Sequence, residues 1–233
     1  MASNAVRYEL VDTVAVVTLD DGKVNALSHE VINALHEALT RAEREAASVL
    51  LVGRPGRLSA GFDLSEMQRS DAAAQTLVGA GAELTLRLFT FPRPVVVACS
   101  GHALAAGAIL LLAGDLRIGA TGNFKIGLNE VSIHITLPVF VMEMARARLS
   151  KRYFTRATTQ AEIFDPAGAK DAGYLDATVA PEQLYDEALA HARRLAALPH
   201  PTFGKTKDNE RGATERSIRE TLAADLAKLT SPK

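Results

Sequence analysis

Apolar and polar positions alternate between two periods along this chain, and the switch between them marks out its elements. Residues 7–11 and 14–19 are short strand-like runs flanking Asp12-Thr13, which predicts a hairpin. Asp20-Asp21-Gly22 follows as a turn. Val31, Ile32, Leu35, Ala38, Leu39 and Ala42 then recur at helical spacing behind Ser28, a good N-cap. Residues 48–52 and 95–99 are continuous apolar runs closed by Gly53, Pro55-Gly56 and Pro94, the pattern of strands buried on both faces. Between them, residues 64–68 predict a turn or two of helix and residues 72–91 a longer helix ending before Pro92. Residues 104–113 predict a short helix that is hydrophobic all round and therefore internal. Strands are predicted at 116–120 and 123–126, with a short one at 178–179. After Pro138 the pattern turns helical, over 139–147, 150–155, 166–172, 182–198 and 214–229. Strands alternating with helices and then a helical final third predict an α/β layered architecture. No low-complexity linker divides the chain.

Composition narrows the possible functions. The 233 residues are 48% hydrophobic, enough for one sizeable core. The 26 basic and 27 acidic residues leave a net charge of −1, so no field draws nucleic acid or an anionic membrane. Cys99 is the single cysteine, which excludes an internal disulfide and fits a reducing cytosol. Residues 1–9 are mixed and polar, unlike a signal peptide, and residues 95–99 and 103–113 are too short to span a bilayer. The expectation is a soluble cytoplasmic protein.

The chemistry concentrates in three stretches. Ile126-Gly127-Leu128-Asn129-Glu130 carries one carboxylate, Glu130, in an apolar run. Leu58-Ser59-Ala60-Gly61-Phe62-Asp63-Leu64 and Gly101-His102-Ala103-Leu104-Ala105-Ala106-Gly107 are small-residue turns able to present backbone N–H groups. One base beside such turns suits removal of a proton next to a carbonyl, with the oxyanion held by amides. Burial among Ile126, Leu128, Val131 and Ile133 is expected to raise the Glu130 pKa. A helical carboxylate of purely local role is the alternative. Ile109, eight residues after Gly101, stands where a second acid would be useful and cannot carry a proton. Asp63 and Asn25 read as residues that shape their turns, Cys99 as a small core residue, and His134 as a satisfied or exposed histidine. Lys205, Lys207 and Arg211 read as a solvated helix face, with phosphate contact as the alternative.

These motifs, in this order and over nearly the whole chain, resemble the crotonase superfamily, the enoyl-CoA hydratase/isomerase family. Lys23-Val24-Asn25-Ala26-Leu27-Ser28 is similar to its first coenzyme A turn, residues 59–64 to its first oxyanion turn, residues 100–115 to its second with the helix behind, and residues 126–138 to its catalytic segment. The resemblance implies a spiral of ββα units over residues 1–180 and a C-terminal helical region, 181–233, that mediates trimerisation within the same fold unit. It implies a bent acyl-CoA thioester whose oxygen is held by the N–H groups of Phe62 and Ala106, with Glu130 as the acid/base. Val24, Ala26, Ala60, Gly61, Asp63, Leu64 and Asn129 are then the substrate-binding positions. Ala106 and His134 occupy places where relatives usually have glycine, so Ala106 is expected to need a φ below zero or some strain, with its methyl narrowing the approach. Asn129-Glu130 and the missing second acid resemble the single-glutamate isomerase branch, with a hydratase or an acyl-CoA-binding protein without turnover as alternatives. No metal and no redox cofactor is implied, coenzyme A being part of the substrate. The expected partners are an acyl-CoA and further copies of the chain, as a homotrimer or hexamer.

Overall fold

A computed structural model describes residues 5–232, so residues 1–4 of the N-terminal reading lie outside the described residues. The predicted hairpin is present as β1 (Val6–Val11) and β2 (Val14–Leu19), antiparallel with Val11 opposite Val14. The short β3 (Ala26–Leu27) leads to α1 (His29–Glu45), whose first turn is capped by the Ser28 side chain accepting from Val31 N–H. The apolar run β4 (Ser48–Gly53) is buried throughout. After it come β5 (Gly56–Ser59), β6 (Gly61–Phe62), α2 (Leu64–Met67) and α3 (Asp71–Phe89). Next are β7 (Val95–Cys99), β8 (Gly101–Leu104), α4 (Ala106–Ala113), β9 (Leu116–Ala120) and β10 (Ile126–Gly127). Helices α5 (Val139–Arg148), α6 (Phe154–Ala157) and α7 (Pro166–Ala172), strand β11 (Ala177–Val179) and helices α8 (Leu184–Ala196) and α9 (His200–Leu226) complete the chain.

The strands form a six-stranded sheet in the order β1-β2-β4-β7-β9-β11, a three-stranded sheet β10-β8-β5 and a pair β3-β6. Beyond the hairpin the named strands pair in parallel among the described residues. The chain therefore winds as a spiral of ββα units: β4, β7 and β9 each enter the large sheet, and β5, β8 and β10 follow each into the small one. Side chains alternate across the large sheet. Ala15, Val17, Val49, Leu51, Val95 and Val97 join the main core with α1, α3 and α4. Val14, Val16, Leu50, Val52, Val96 and Ala98 pack on the other face against α8. No helix among the described residues is long and apolar enough to cross a membrane.

Four readings of the sequence are corrected. The apolar run at 104–113 is split, because Gly101–Leu104 pairs in parallel with β5 and β10 and the helix begins only at Ala106. Strand β10 is two residues, not four. The helix expected over 150–155 forms instead at Phe154–Ala157. The last helix starts at His200 rather than at 214; Pro201 sits in its first turn, where a missing N–H costs nothing.

Lys207 and Arg211, on α9, are neither a solvated face nor a phosphate site. They are 3% and 4% exposed, and both reach Asp115 at 2.8 Å. Arg211 also donates to the Phe89 carbonyl (2.7 Å) and Arg148 to that of Gly114 (2.9 Å). These cations thus meet the C-terminal ends of α3 and α4, where the helix dipole is negative. Lys205 is exposed.

Candidate active site

The site is assembled from three turns that the small sheets bring side by side. In the first, Asp21 Oδ1 accepts from Lys23 N–H (2.7 Å) and Asp21 Oδ2 from Ala26 N–H (3.2 Å), curling the segment. Asn25 is fully buried with φ +53°, one of the few side chains that tolerate this backbone. Its Nδ2 donates to the carbonyls of Leu19 (2.8 Å) and Leu58 (3.0 Å), and its Oδ1 accepts from Asp21 N–H (2.9 Å). Its structural reading holds. Val24 is 40% exposed and Ala26 half-buried; both face the cavity described below.

The second turn runs from Ser59 to Asp63. Ala60 N–H donates to the Val24 carbonyl (3.0 Å), joining it to the first. Gly61 has φ +108°, and a Cβ there would stand 2.9 Å from the Ala105 methyl and 3.5 Å from Ala106 N. The glycine is required both by its backbone and by the approach of the third turn. The Phe62 ring packs over Gly81 of α3, where an added Cβ would lie 2.2 Å from it. Asp63 caps α2, accepting from Ser65 N–H (2.8 Å) and Glu66 N–H (3.3 Å), and its hydrogen bond from the Ser65 hydroxyl holds its pKa down. Leu64 is 51% exposed at the cavity edge.

In the third turn Ala105 N–H donates to the Gly127 carbonyl (3.1 Å) and α4 begins at Ala106. Ala106 takes the first of the two expected courses, helical backbone without a positive φ, and it is Ala105 that sits at φ +49°, which alanine adopts at a cost. Ala106 is already the first helical residue, so its N–H has no acceptor within the helix and lies at the positive end of α4. Gly107 presses on Ser59, whose carbonyl oxygen would be 2.3 Å from an added Cβ.

Glu130 faces this corner from the segment after β10. A 3-10 turn, Val131–Ile133, follows it, and its carbonyl accepts from Ile133 N–H (3.0 Å) and Ile135 N–H (2.9 Å), fixing its backbone. The residue is 8% exposed, and its Oε2 has no hydrogen-bond partner among the described residues. Burial pushes its pKa up to about 7. The buried neighbours differ in part from those expected. Ile126 and Leu128 are buried, but Val131 and Ile133 are each 43% exposed. Asn129 turns its carbonyl to the Ser132 hydroxyl (2.6 Å), and its buried Oδ1 also lacks a partner among the described residues.

Val24, Ala26, Ala60, Phe62, Asp63, Leu64, Asn129 and Glu130 line one cavity of about 780 Å³, with Ala105 and Ile109 between them. Met67, Val78, Phe140, Val141 and Leu229 extend it with apolar surface. Gly61 and Ala106 stand behind that lining. His134, with φ +64°, is exposed and opens on a neighbouring cleft rather than on Glu130. Cys99 is a buried core thiol, pushed up to about 12 by burial. Sequence reasoning missed Tyr174. It is fully buried, and its pKa is raised by that burial and then by the charge of nearby Glu130. Its place in an Ala-Gly-Tyr-Leu helix end carries no signal that could have revealed it.

A ββα spiral that sets two backbone-amide turns beside one buried carboxylate defines a crotonase-fold enzyme. The family model for enoyl-CoA hydratase/isomerase matches residues 9–233, and the chain belongs to that family. A solved enoyl-CoA hydratase/isomerase family protein from Pseudomonas syringae is 44% identical and superposes with a TM-score of 0.96, covering 98% of this chain and all of that one. The structure of human mitochondrial delta3-delta2-enoyl-CoA isomerase is 32% identical at a TM-score of 0.91, covering 96% of this chain and 90% of its own. A probable enoyl-CoA hydratase of Mycolicibacterium paratuberculosis is 30% identical over 86% of this chain and 79% of its own length.

Proposed function

We propose that this enzyme moves the double bond of a 3-enoyl-CoA to the 2 position, with Glu130 as the single acid/base. The observation that carries the reading is Glu130 itself, buried beside apolar Ile109 with no second acid on α4. The ionised carboxylate takes a proton from C2, and the thioester oxygen gains the charge. The N–H groups of Phe62 and Ala106 accept that charge as hydrogen-bond donors, each donor being worth about 3–4 kcal/mol in comparable oxyanion holes. Glu130 then returns the proton to C4. One base reaches both carbons when they lie on the same side of it, so no metal or redox cofactor takes part. Val24, Ala26, Ala60, Gly61, Asp63, Leu64 and Asn129 shape the thioester and coenzyme A side of the site. The loss-of-turnover alternative is weakened by Ala106 adopting ordinary helical backbone and by His134 lying outside the cavity.

Hydration of a 2-enoyl-CoA is the second reading, favoured by the relative named a probable hydratase. Adding water needs a base for the water and a proton for C2, two tasks best met by two groups. We expect kcat/KM for isomerisation of a 3-enoyl-CoA to exceed that for hydration of the matching 2-enoyl-CoA at least about tenfold, roughly 1.4 kcal/mol in barrier. Faster hydration overturns the assignment. Assembly in threes through the C-terminal helical region belongs to the same proposal, and a monomer by light scattering at micromolar concentration overturns that part.

A further inference from the structure

The cavity at Glu130 shares a wall with another. Ile133, Ile135, Pro138 and Leu229 line it and also line a second cavity of about 630 Å³. The rest of the second cavity comes from His134, Thr136 and Leu137 and from the end of the described chain, Asp225, Leu226, Lys228 and residues 230–232. Leu229 is the only one of the four shared residues that does not belong to the 133–138 loop. It sits on the strap that follows α9.

That strap is pinned at few points. Gln75 Nε2, on α3, donates to the Leu229 carbonyl (3.0 Å), and Ser231 N–H donates to Asp71 Oδ1 (2.7 Å). Before it, Asp225 Oδ2 accepts from Val139 N–H at the start of α5 (2.5 Å). Two side chains of α3 thus hold the strap, Asp225 ties the end of α9 to α5, and the Leu229 side chain is the strap's apolar contribution to both cavities. The second cavity is apolar where it adjoins the first, at Ile133, Ile135 and Leu229. It is polar elsewhere, where His134, Lys228 and Thr230 are exposed. An apolar chain entering from the first cavity would therefore pass over Leu229 and end near solvent.

We infer that Leu229, which lines both cavities, is the partition that sets acyl-chain length, and that the substrates are thioesters of long unbranched acyl chains whose tails continue into the second cavity. The inference deepens the proposed function and rests on its acyl-CoA reading. Trimming the partition favours longer tails; enlarging it closes the passage.

The test measures binding of saturated six-carbon and fourteen-carbon acyl-CoAs by calorimetric titration, since saturated thioesters neither isomerise nor hydrate. Each methylene moved from water to apolar surface strengthens binding about fourfold, so the length preference is a sensitive readout. Leu229→Ala should raise the fourteen-to-six-carbon affinity ratio at least about fivefold, and Leu229→Phe should lower it at least about fivefold. Should Leu229→Ala fail to fold, Leu229→Phe alone decides. Binding whose length preference ignores the variants, or shifts equally at both lengths, overturns the partition while leaving the acyl-CoA reading intact. Absence of binding at either length overturns that reading and the partition with it.

Discussion

Ser59 donates its hydroxyl proton to the carbonyl of Asn25 at 2.6 Å and accepts from Gly61 N–H at 3.1 Å. One buried hydroxyl thereby couples the first turn of the site to the second. Removing it leaves the Asn25 carbonyl and the Gly61 N–H without that partner. Ser59→Ala should cost about 1–3 kcal/mol of stability, the usual penalty for orphaned buried groups. It should lower kcat/KM by more than about tenfold, because the Phe62 N–H loses its support. Thermal denaturation and steady-state kinetics on the same preparation check both.

Glu130→Gln keeps size and removes the basic oxygen. Turnover should fall by about 10²–10⁴, the range for a positioned general base, with acyl-CoA affinity retained. Near-normal turnover would remove Glu130 from the mechanism.

The raised pKa of Glu130 sets two opposite pH dependences. Under the proposed function the base works ionised, so kcat/KM in the native enzyme should climb with pH, reach half its plateau near 7, and level off above it. Stability runs the other way. The folded pKa of about 7 lies above the ordinary value of 4.5, so the folded state holds a proton that the unfolded chain releases in between. The stabilisation is complete below the unfolded value and is lost as pH rises through the folded one. Glu130→Gln should therefore melt higher than the native protein at pH 8 and equally with it near pH 4. A melting difference independent of pH would contradict the burial argument.

The Ala106 N–H can be deleted without breaking α4, because proline is accepted at a first helical position. Ala105→Gly first relieves the positive φ and frees the residue before the proline. Against that background, adding Ala106→Pro should lower kcat by roughly 10²–10³, the effect of losing one oxyanion donor, with helical circular dichroism unchanged. An equal kcat in the two variants would exclude Ala106 as a donor.

Asp115 neutralises two buried cations. Asp115→Asn leaves Lys207 and Arg211 without their shared carboxylate and should destabilise the fold by about 3–5 kcal/mol. Chemical denaturation measures it. Acyl-CoA affinity at a temperature where the variant is folded should be unchanged, in keeping with a role far from phosphate binding.

Much of this structure is legible in the chain because it rests on local rules. Val95 to Cys99, bounded by Pro94 and Gly101, has no other sensible reading than a buried strand, and Ser28 before an amphipathic run announces α1. Gly61 and Glu130 were legible through their motifs. Other features depend on contacts that no local pattern encodes. Gly101–Leu104 becomes a strand only because β5 and β10 flank it; by composition it continues into α4. The start of α9 is polar and carries Pro201, so its period is hidden until α3 and α5 supply something to pack on. Lys207 and Arg211 look solvated until Asp115, about ninety residues earlier in the chain, is placed beside them. The positive φ falls on Ala105 because α4 begins at Ala106, two residues later than expected, a shift that sequence cannot resolve.

Burial raises the Glu130 pKa to about 7, so its ionisation changes across the neutral range. Under the proposed function both directions open on the same ionised carboxylate, which takes a proton from C2 of the 3-enoyl thioester or from C4 of the 2-enoyl one. The two directions are therefore switched on together as the carboxyl loses its proton. Acidity sets how fast the site works in either sense, while the balance of the two isomers is left to their own relative free energies.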